Sequence, residues 1–291
     1  MGIREKGYEH WDGILREHQR SWWPITRLGV KLAFRRKNFK FIFAGAFLPA
    51  FVFLAGVYIS ERIEDFQKMF RSASSQKLFE VNPGFFRTYF ANEALLFLMI
   101  MIMVFAGAGL IADDLKFNSL QIYFSRPIRK KDYILGKCAV LLFFLLLLTV
   151  VPGLLLIIFK MVFAGSFVFI RAYPWLPLSI ISYSVFLSAF ITLYTLLLSS
   201  LNRNRRYVSI LIFAVYIFSD ILFGIFYGRF RNQYFALLSI KSNIQQTAAF
   251  FFRVKPPFPV PAGYSFLILG AIGLVSIAVL RKKIRSVDVI K

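Results

Sequence analysis

The sequence predicts an all-α integral membrane protein with six transmembrane helices. Of its residues, 58% are hydrophobic, and 36 of the 291 are Phe. A soluble domain of this length has less use for apolar residues, because its exterior must face water. The apolar residues also form long continuous runs, without the period-2 alternation that the wall of a membrane barrel requires. Both observations indicate helices in a lipid environment.

Six apolar runs are long enough to cross a bilayer, because a helix rises about 1.5 Å per residue and the hydrocarbon core is about 30 Å thick. We predict spans at residues 41–60, 94–112, 138–159, 176–201, 208–227 and 264–280. The first run begins only after a mostly polar stretch, so we expect a retained span and not a cleaved signal peptide.

The distribution of basic residues predicts the orientation of the chain. The segments on the side of the N-terminus carry twice as many Lys and Arg residues as the segments on the other side. The positive-inside rule therefore predicts a multi-pass protein of the cell (inner or plasma) membrane with both termini in the cytoplasm. We expect a cytoplasmic arm at 1–40, a transmembrane domain at 41–280 and a basic cytoplasmic tail at 281–291. The net charge of +22 then reflects contact with the lipid bilayer and not with nucleic acid, since no soluble segment large enough to fold contains a basic-aromatic module.

The arm contains a predicted interfacial helix. Ile25, Leu28 and Leu32 fall on one helical face, basic residues fall elsewhere, and Pro24 suits a helix start. This pattern predicts a basic amphipathic helix on the inner leaflet. Two roles stay open at this point, a plain anchor or a helix that also touches a cytoplasmic partner.

Two outer loops are longer than simple turns. The pattern of charged and apolar residues in the segment 61–93 predicts a short amphipathic helix. Residues 248–252 are apolar but too short to span, so we predict re-entrant helices that dip into the outer leaflet before the sixth span. The proline-rich stretch 256–261 would form a stiff return.

The inner loop between the second and third spans, residues 113–137, is much longer than a connector needs to be. Four of its residues fall on one face if the stretch is a single helix: Leu115, Ser119, Ile122 and Tyr123. Arg126 precedes Pro127 and should therefore leave the helical region, which predicts a turn. A second helix is expected to start at Asp132 and to run into the third span. Two helices and a rigid corner at the membrane surface would form a lever.

This loop resembles the corresponding loop of the type-2 ABC exporter permeases. Asp114 is followed by Ser119-Leu120, and residues 125–137 read SRPIRKKDYILGK. That family usually has Glu and Gly-Thr-Leu where this chain has Asp114 and Asn118-Ser119-Leu120, which shortens the reach of the carboxylate. The whole-chain layout of arm, six spans and outer re-entrant elements agrees with the family.

The resemblance implies that this loop contains a coupling helix that docks on an ABC ATPase subunit. The implied contact residues are Asp114, Lys116, Asn118, Ser119, Leu120, Tyr123, Phe124, Ser125, Arg126, Pro127, Ile128 and Asp132. It also implies a second permease copy or a homologous permease as partner, and export of a substrate by alternating access.

The chain itself is not expected to be an enzyme. A phosphate-binding Gly-x-x-x-x-Gly-Lys-Ser/Thr loop is absent, because the one Gly-Lys pair, Gly136-Lys137, lacks both the first glycine and the hydroxyl residue. ATP and Mg are therefore expected on the partner subunit, with no cofactor and no metal bound by this chain.

Three residues within the spans are candidates for a substrate path or for gating: Asp220, Pro152 and Gly153. A carboxylate inside a membrane is a functional-site candidate, although Asp220 could also face the outer interface or bond to Ser219 or a tyrosine. Pro152 predicts a kink, which would act as a hinge or as a static packing bend.

Two other functions were weighed. A membrane-embedded enzyme is disfavoured, because the chain has two His, one Cys and a single acid deep in its spans. An ATP-independent carrier or a scaffold remains the alternative, although residues 41–137 and 178–280 show no clear internal repeat.

Overall fold

The protein is described here by a computed structural model that covers residues 21–70, 80–124 and 128–285. Within these ranges the regular structure is helical and contains no strand. The helices are α1 Trp22–Arg35, α2 Lys37–Gly45, α3 Leu48–Phe70, α4 Pro83–Phe90, α5 Glu93–Ile102, a π-helix Met103–Gly107, α6 Gly109–Lys116, α7 Ser119–Phe124, α8 Lys130–Ala164, α9 Val168–Ala172, α10 Leu176–Leu201, α11 Arg205–Phe230, a 3₁₀-helix Gln233–Leu238, α12 Ile240–Phe251 and α13 Ala262–Arg285.

Six helical stretches of the described residues are long and apolar enough to cross a membrane, which confirms the six predicted spans. In chain order they are Lys37–Arg62, Pro83–Lys116, Lys130–Ala164, Leu176–Leu201, Arg205–Phe230 and Ala262–Ile284. Spans 2, 3 and 4 are the most buried and form the core of the bundle, whereas spans 1, 5 and 6 expose most of their surface. We call the end of the bundle with the loop between spans 2 and 3 the loop end, and the opposite end the far end.

Aromatic packing joins the beginning of span 1 to span 3. The rings of Phe34, Phe39 and Phe43 surround Phe144, with ring centroids 4.8 to 5.5 Å from it and edge-to-face geometry. Such contacts add to the burial of large apolar surface because the positive ring edge meets the negative ring face. The turn between α1 and span 1 is therefore fixed against the core.

The predicted separate helix in residues 61–93 is wrong in one respect. Helix α3 continues without a break to Phe70. Residues 61–70 therefore extend the helix of the first span instead of forming a new element. A different short helix, α4, forms the first part of span 2, and the Asn82 side chain caps it by accepting a bond from the backbone N–H of Phe85. Residues 71–79 lie outside the described ranges.

Span 2 contains a π-helix that the sequence analysis did not predict. It covers Met103–Gly107, where the backbone N–H of Ala108 bonds to the carbonyl of Met103. Gly107 lies close to span 4, because a Cβ there would stand 2.5 Å from Cγ2 of Thr195. Close packing against span 4 and the extra residue of the π-turn thus occur at the same level of the bundle.

The loop between spans 5 and 6 contains more helix than predicted. The 3₁₀-helix Gln233–Leu238 leads into α12, which extends the predicted 248–252 piece back to Ile240. The Gln246 amide donates to the carbonyls of Phe258 and Val260, so it ties the proline-rich return to α12. Entry of this helix into the outer leaflet stays a prediction.

Helix α8 is longer than a bilayer requires. Its 35 residues correspond to about 52 Å, against a hydrocarbon core of about 30 Å. Leu141 and Thr195 both lie against Gly107, so they are at the same level of the bundle. From Leu141 back to its first residue, α8 is longer than span 4 is from Thr195 to its last residue. The first turns of α8 therefore project at the loop end.

Candidate functional site

The loop between spans 2 and 3 is a folded corner and not one continuous helix. Helix α6 ends at Lys116, and Asn118 has the left-handed backbone angle φ of 52° before α7 begins at Ser119. Asn tolerates this conformation better than most residues, so it ends the first helix. The predicted single face that joins Leu115 to Tyr123 is therefore wrong as helix geometry. The predicted second helix is present and begins at Lys130.

A buried ion pair lies at the base of this corner. The Asp114 carboxylate accepts a bond from the Tyr133 hydroxyl at 2.6 Å and pairs with the Lys137 ammonium at 2.7 Å. The same ammonium lies over the rings of Tyr123 and Tyr133, at 5.8 and 5.4 Å from their centroids. Burial, followed by the negative charge of Asp114, raises the pKa of Tyr123. We call Asp114, Tyr123, Tyr133 and Lys137 the loop-end cluster.

Apolar side chains surround this cluster on a second side. Leu120, Tyr133 and Ile284 are buried together, with partly buried residues from α6 and α7 packed against them. Ile284 belongs to α13, so the end of span 6 contacts the loop as well. The loop is thus fixed to three different spans by packing and by charge.

The tip of the corner is exposed. Phe117 has 68% of its surface accessible, and the Lys116 ammonium lies 5.3 Å from the centroid of its ring. Asn118 and Gln121 beside it are exposed as well. Aromatic side chains are enriched in protein interfaces, so the exposed Phe117 ring beside Lys116 is a candidate contact for a partner. Phe117 was not among the predicted contact residues, and its signal in the sequence is an aromatic residue between two polar residues.

The structure divides the residues that the resemblance had marked as ATPase contacts. Asp114 and Leu120 point inward, whereas Lys116 and Asn118 point outward. Four others are half-buried: Ser119, Tyr123, Ile128 and Asp132. The side chain of Phe124 and the whole of Ser125, Arg126 and Pro127 lie outside the described residues, and with them the predicted turn.

Helix α1 packs along the projecting turns of α8. The Thr26 hydroxyl donates to the Gly136 carbonyl at 3.1 Å, and a Cβ on Gly136 would meet Ile25 at 2.8 Å. Ile25 is therefore buried against protein, while Leu28 and Leu32 stay exposed. The predicted apolar face is thus split between α8 and the surroundings. Contact of α1 with the leaflet stays a prediction.

The fold agrees with the comparison against known families. Residues 31–220, well over half of the chain, match a family model described as ABC-2 family transporter protein. The chain belongs to the ABC-2 transporter family. It is a multi-pass ABC permease, as the six spans and the matched region together indicate. No curated protein sequence matches the chain.

In this ABC-2 permease, Pro152 lies inside a continuous helix and not at a break. Proline removes the N–H that would bond to the carbonyl four residues earlier, which is that of Leu148. The Tyr89 hydroxyl lies 3.5 Å from this carbonyl and supplies a replacement donor. Gly153 is packed so closely that a Cβ would stand 2.8 Å from Ile180. These contacts favour a packed bend over a free hinge.

Asp220 of the permease faces the far end and has defined partners there. Its carboxylate accepts from the Ser239 hydroxyl at 2.9 Å and pairs with the Lys241 ammonium at 3.1 Å. Lys241 also pairs with Glu93 at 2.9 Å. Ser219 bonds instead to the carbonyl of Tyr216, so among the described residues Asp220 is bonded to Ser239 and Lys241 and not to Ser219 or a tyrosine. We call Glu93, Asp220 and Lys241 the far-end cluster.

Lys241 responds electrostatically to both carboxylates. Burial alone would lower the pKa of its ammonium, but the hydrogen bonds to Glu93 and Asp220 outweigh burial, so the pKa is raised from 10.5. The cluster links the start of α5 in span 2 with span 5 and α12. Asp220 therefore already has a cationic partner supplied by the protein.

Proposed function

We propose that this chain is the permease subunit of an ATP-driven exporter, in which a separate ABC ATPase drives alternating access. The observation that carries the proposal is the exposed tip Lys116–Asn118 standing on the buried loop-end cluster. A surface that must receive a partner and pass on its motion needs both properties, an exposed contact and a stiff base.

The stiff base gives the loop a mechanical role. Asp114 belongs to the helix that ends span 2, and Lys137 belongs to the helix that continues into span 3. Because the two are joined by a buried ion pair, a push on the tip moves both spans together. ATP binding to the partner would thereby shift the population between two packings of the bundle. ATP and Mg would be held by that partner.

The outer surface of the bundle leaves room for a second permease. Spans 1, 5 and 6 carry exposed apolar residues along most of their length. Such faces suit lipid, and they also suit a second copy of this chain or a homologous permease. In this proposal both termini are cytoplasmic, as the excess of basic residues on their side supports. Asp220 serves as a far-end brace, and Pro152 with Gly153 as a packed bend.

The tip can be tested with a matched pair of substitutions. Phe117 and Phe167 are equally exposed, at 68% each, and follow the loop end of span 2 and the far end of span 3, respectively. We expect Phe117→Asp to release the ABC ATPase subunit from purified permease, because it places an unpaired charge in the docking contact. We expect Phe167→Asp to leave the ATPase bound. Copurification measures both.

Two results would reject the proposal. Retention of the ATPase by the Phe117→Asp variant would show that the tip is not the docking contact. Release by Phe167→Asp alone would place the ATPase at the far end and reverse the orientation. Unchanged elution of both variants in size-exclusion chromatography shows that the fold is intact.

A further inference from the structure

Two arginines from different elements converge on one carbonyl at the loop end. Arg36 lies between α1 and α2, and Arg205 is the first residue of span 5. Nη1 of Arg36 and Nη2 of Arg205 each donate to the Phe105 carbonyl at 3.0 Å. The two nitrogens are therefore separated by at most twice that distance. Phe105 lies in the π-helix of span 2, where the helical hydrogen-bond ladder changes register.

Span 2 is shaped to let the Arg205 side chain cross it. A Cβ on Gly109 would stand 3.0 Å from Cδ of Arg205 and 2.4 Å from a carboxylate oxygen of Asp113. Any larger residue at position 109 would displace one of these side chains. The approach of Arg205 to Phe105 is thus built into the packing and is not a chance surface contact.

The arrangement brings together two positive charges and one nearby negative charge, that of Asp113, so an excess of positive charge remains. Among the described residues, neither guanidinium has a carboxylate at ion-pair distance, and Asp113 over Gly109 is the acid that influences Arg205. Two cations that share one neutral acceptor repel each other, whereas an anion between them would be attracted by both. The planar fork of Arg matches the oxygens of a phosphate and forms paired bonds with it.

The position of the pair selects the source of the phosphate. Both arginines lie where spans 1 and 5 begin, with exposed Lys37 and Arg206 next to them in the chain. One turn further into these spans, Phe41 and Ile210 are exposed apolar side chains. Cations at a span end beside lipid-facing apolar residues are at headgroup depth. We propose that Arg36 and Arg205 bind the phosphate of an anionic phospholipid in the leaflet at the loop end.

The full-length permease allows a charge-matched test. Native mass spectrometry would compare retention of phosphatidylglycerol and of phosphatidylcholine with the same acyl chains. We expect the Arg36→Gln/Arg205→Gln variant to bind phosphatidylglycerol about tenfold more weakly than the Arg35→Gln/Arg206→Gln control, which removes the same charge from exposed neighbours. Equal losses in the two variants would overturn the proposal, because only the general surface charge would then matter.

Two further arms complete the test. Millimolar inorganic phosphate should fail to displace phosphatidylglycerol from the wild-type protein, and full displacement would overturn the assignment to a lipid. The single variant Arg36→Gln covers the case in which the double variant does not fold, because Arg36 is exposed and its loss leaves the Arg205 bond in place. We expect it to bind phosphatidylglycerol more weakly than Arg35→Gln, and equal binding would also overturn the proposal.

Discussion

The two ends of the bundle use the same pair of groups in different surroundings. At the loop end, Lys137 and Asp114 are 2.7 Å apart and their side chains are 9% and 15% exposed. At the far end, the side chains of Lys241, Asp220 and Glu93 are 22%, 36% and 75% exposed. Desolvated charges depend strongly on their partner, whereas water screens exposed ones. The comparison therefore indicates a rigid loop-end cluster and a far-end cluster whose ionic contacts open easily, although a second far-end pair, Lys160 and Glu61, has side chains only 15% exposed.

The largest effect is expected from Lys137→Met. It removes the cation but leaves the Asp114 carboxylate buried, which costs roughly 3–5 kcal/mol of stability. The double variant Asp114→Asn/Lys137→Met should recover a large part of this loss, because no unpaired charge remains. Unfolding of the purified permease, followed by tryptophan fluorescence, measures both variants. A single variant as stable as the wild type would contradict the idea of a desolvated pair.

A smaller effect is expected from Tyr133→Phe. It deletes a hydroxyl that donates to the Asp114 carboxylate, a charge-assisted bond of about 1.5–3 kcal/mol. Tyr194→Phe is the matched control, because the buried Tyr194 hydroxyl donates at 2.8 Å to a neutral acceptor, the Ile212 carbonyl. The control should lose only about 0.5–1.5 kcal/mol. Equal losses in the two unfolding experiments would mean that the charge of Asp114 adds nothing to its bond.

The smallest effect is expected from Lys241→Met at the far end. A partly exposed pair contributes about 0–1 kcal/mol and is weakened by salt. The difference in unfolding midpoint between the wild type and this variant should therefore be small in low salt and smaller still at high ionic strength. A loss as large as that of Lys137→Met would erase the proposed difference between the two ends.

Alkaline pH should remove the contribution of the Lys241 ammonium to the stability of the folded protein. Because the pKa of Lys241 is raised in the folded protein, its contribution is complete below the ordinary pKa of 10.5 and disappears as the pH rises through the folded-state value. The stability difference between the wild type and Lys241→Met should accordingly shrink between pH 8 and strongly alkaline solution. Unfolding midpoints of the two proteins measure it. An advantage that grows with pH would have the wrong sign.

The spans were predictable because hydropathy over twenty residues is a property of the local sequence, and the fourth was predicted to the residue at 176–201. The partners of charged residues were not predictable in the same way. Lys137 was recognised only as part of a Gly-Lys pair, and Lys241 was not singled out. The carboxylate partner of Lys137 lies 23 positions away in the chain, and those of Lys241 lie 21 and 148 positions away, so the contacts depend on how whole helices pack.

The interior of the loop shows the same limit. Periodicity predicted a helix through residues 115–123, but it does not register that Asn118 accepts the left-handed conformation that interrupts it. The π-helix at 103–107 includes Gly107, which packs closely against Thr195, a residue of another span. Features that a neighbouring helix imposes leave little trace in the pattern of a single segment.

The contact between Thr26 and Gly136 has a consequence for how force travels through the molecule. A lone helix that leaves the hydrocarbon tends to fray, since its end turns have few partners. Here α1 packs against the first turns of α8 over several residues, from Gly136 to Val140, and so supports them. A displacement applied at the corner would therefore reach the bilayer without being absorbed by bending on the way.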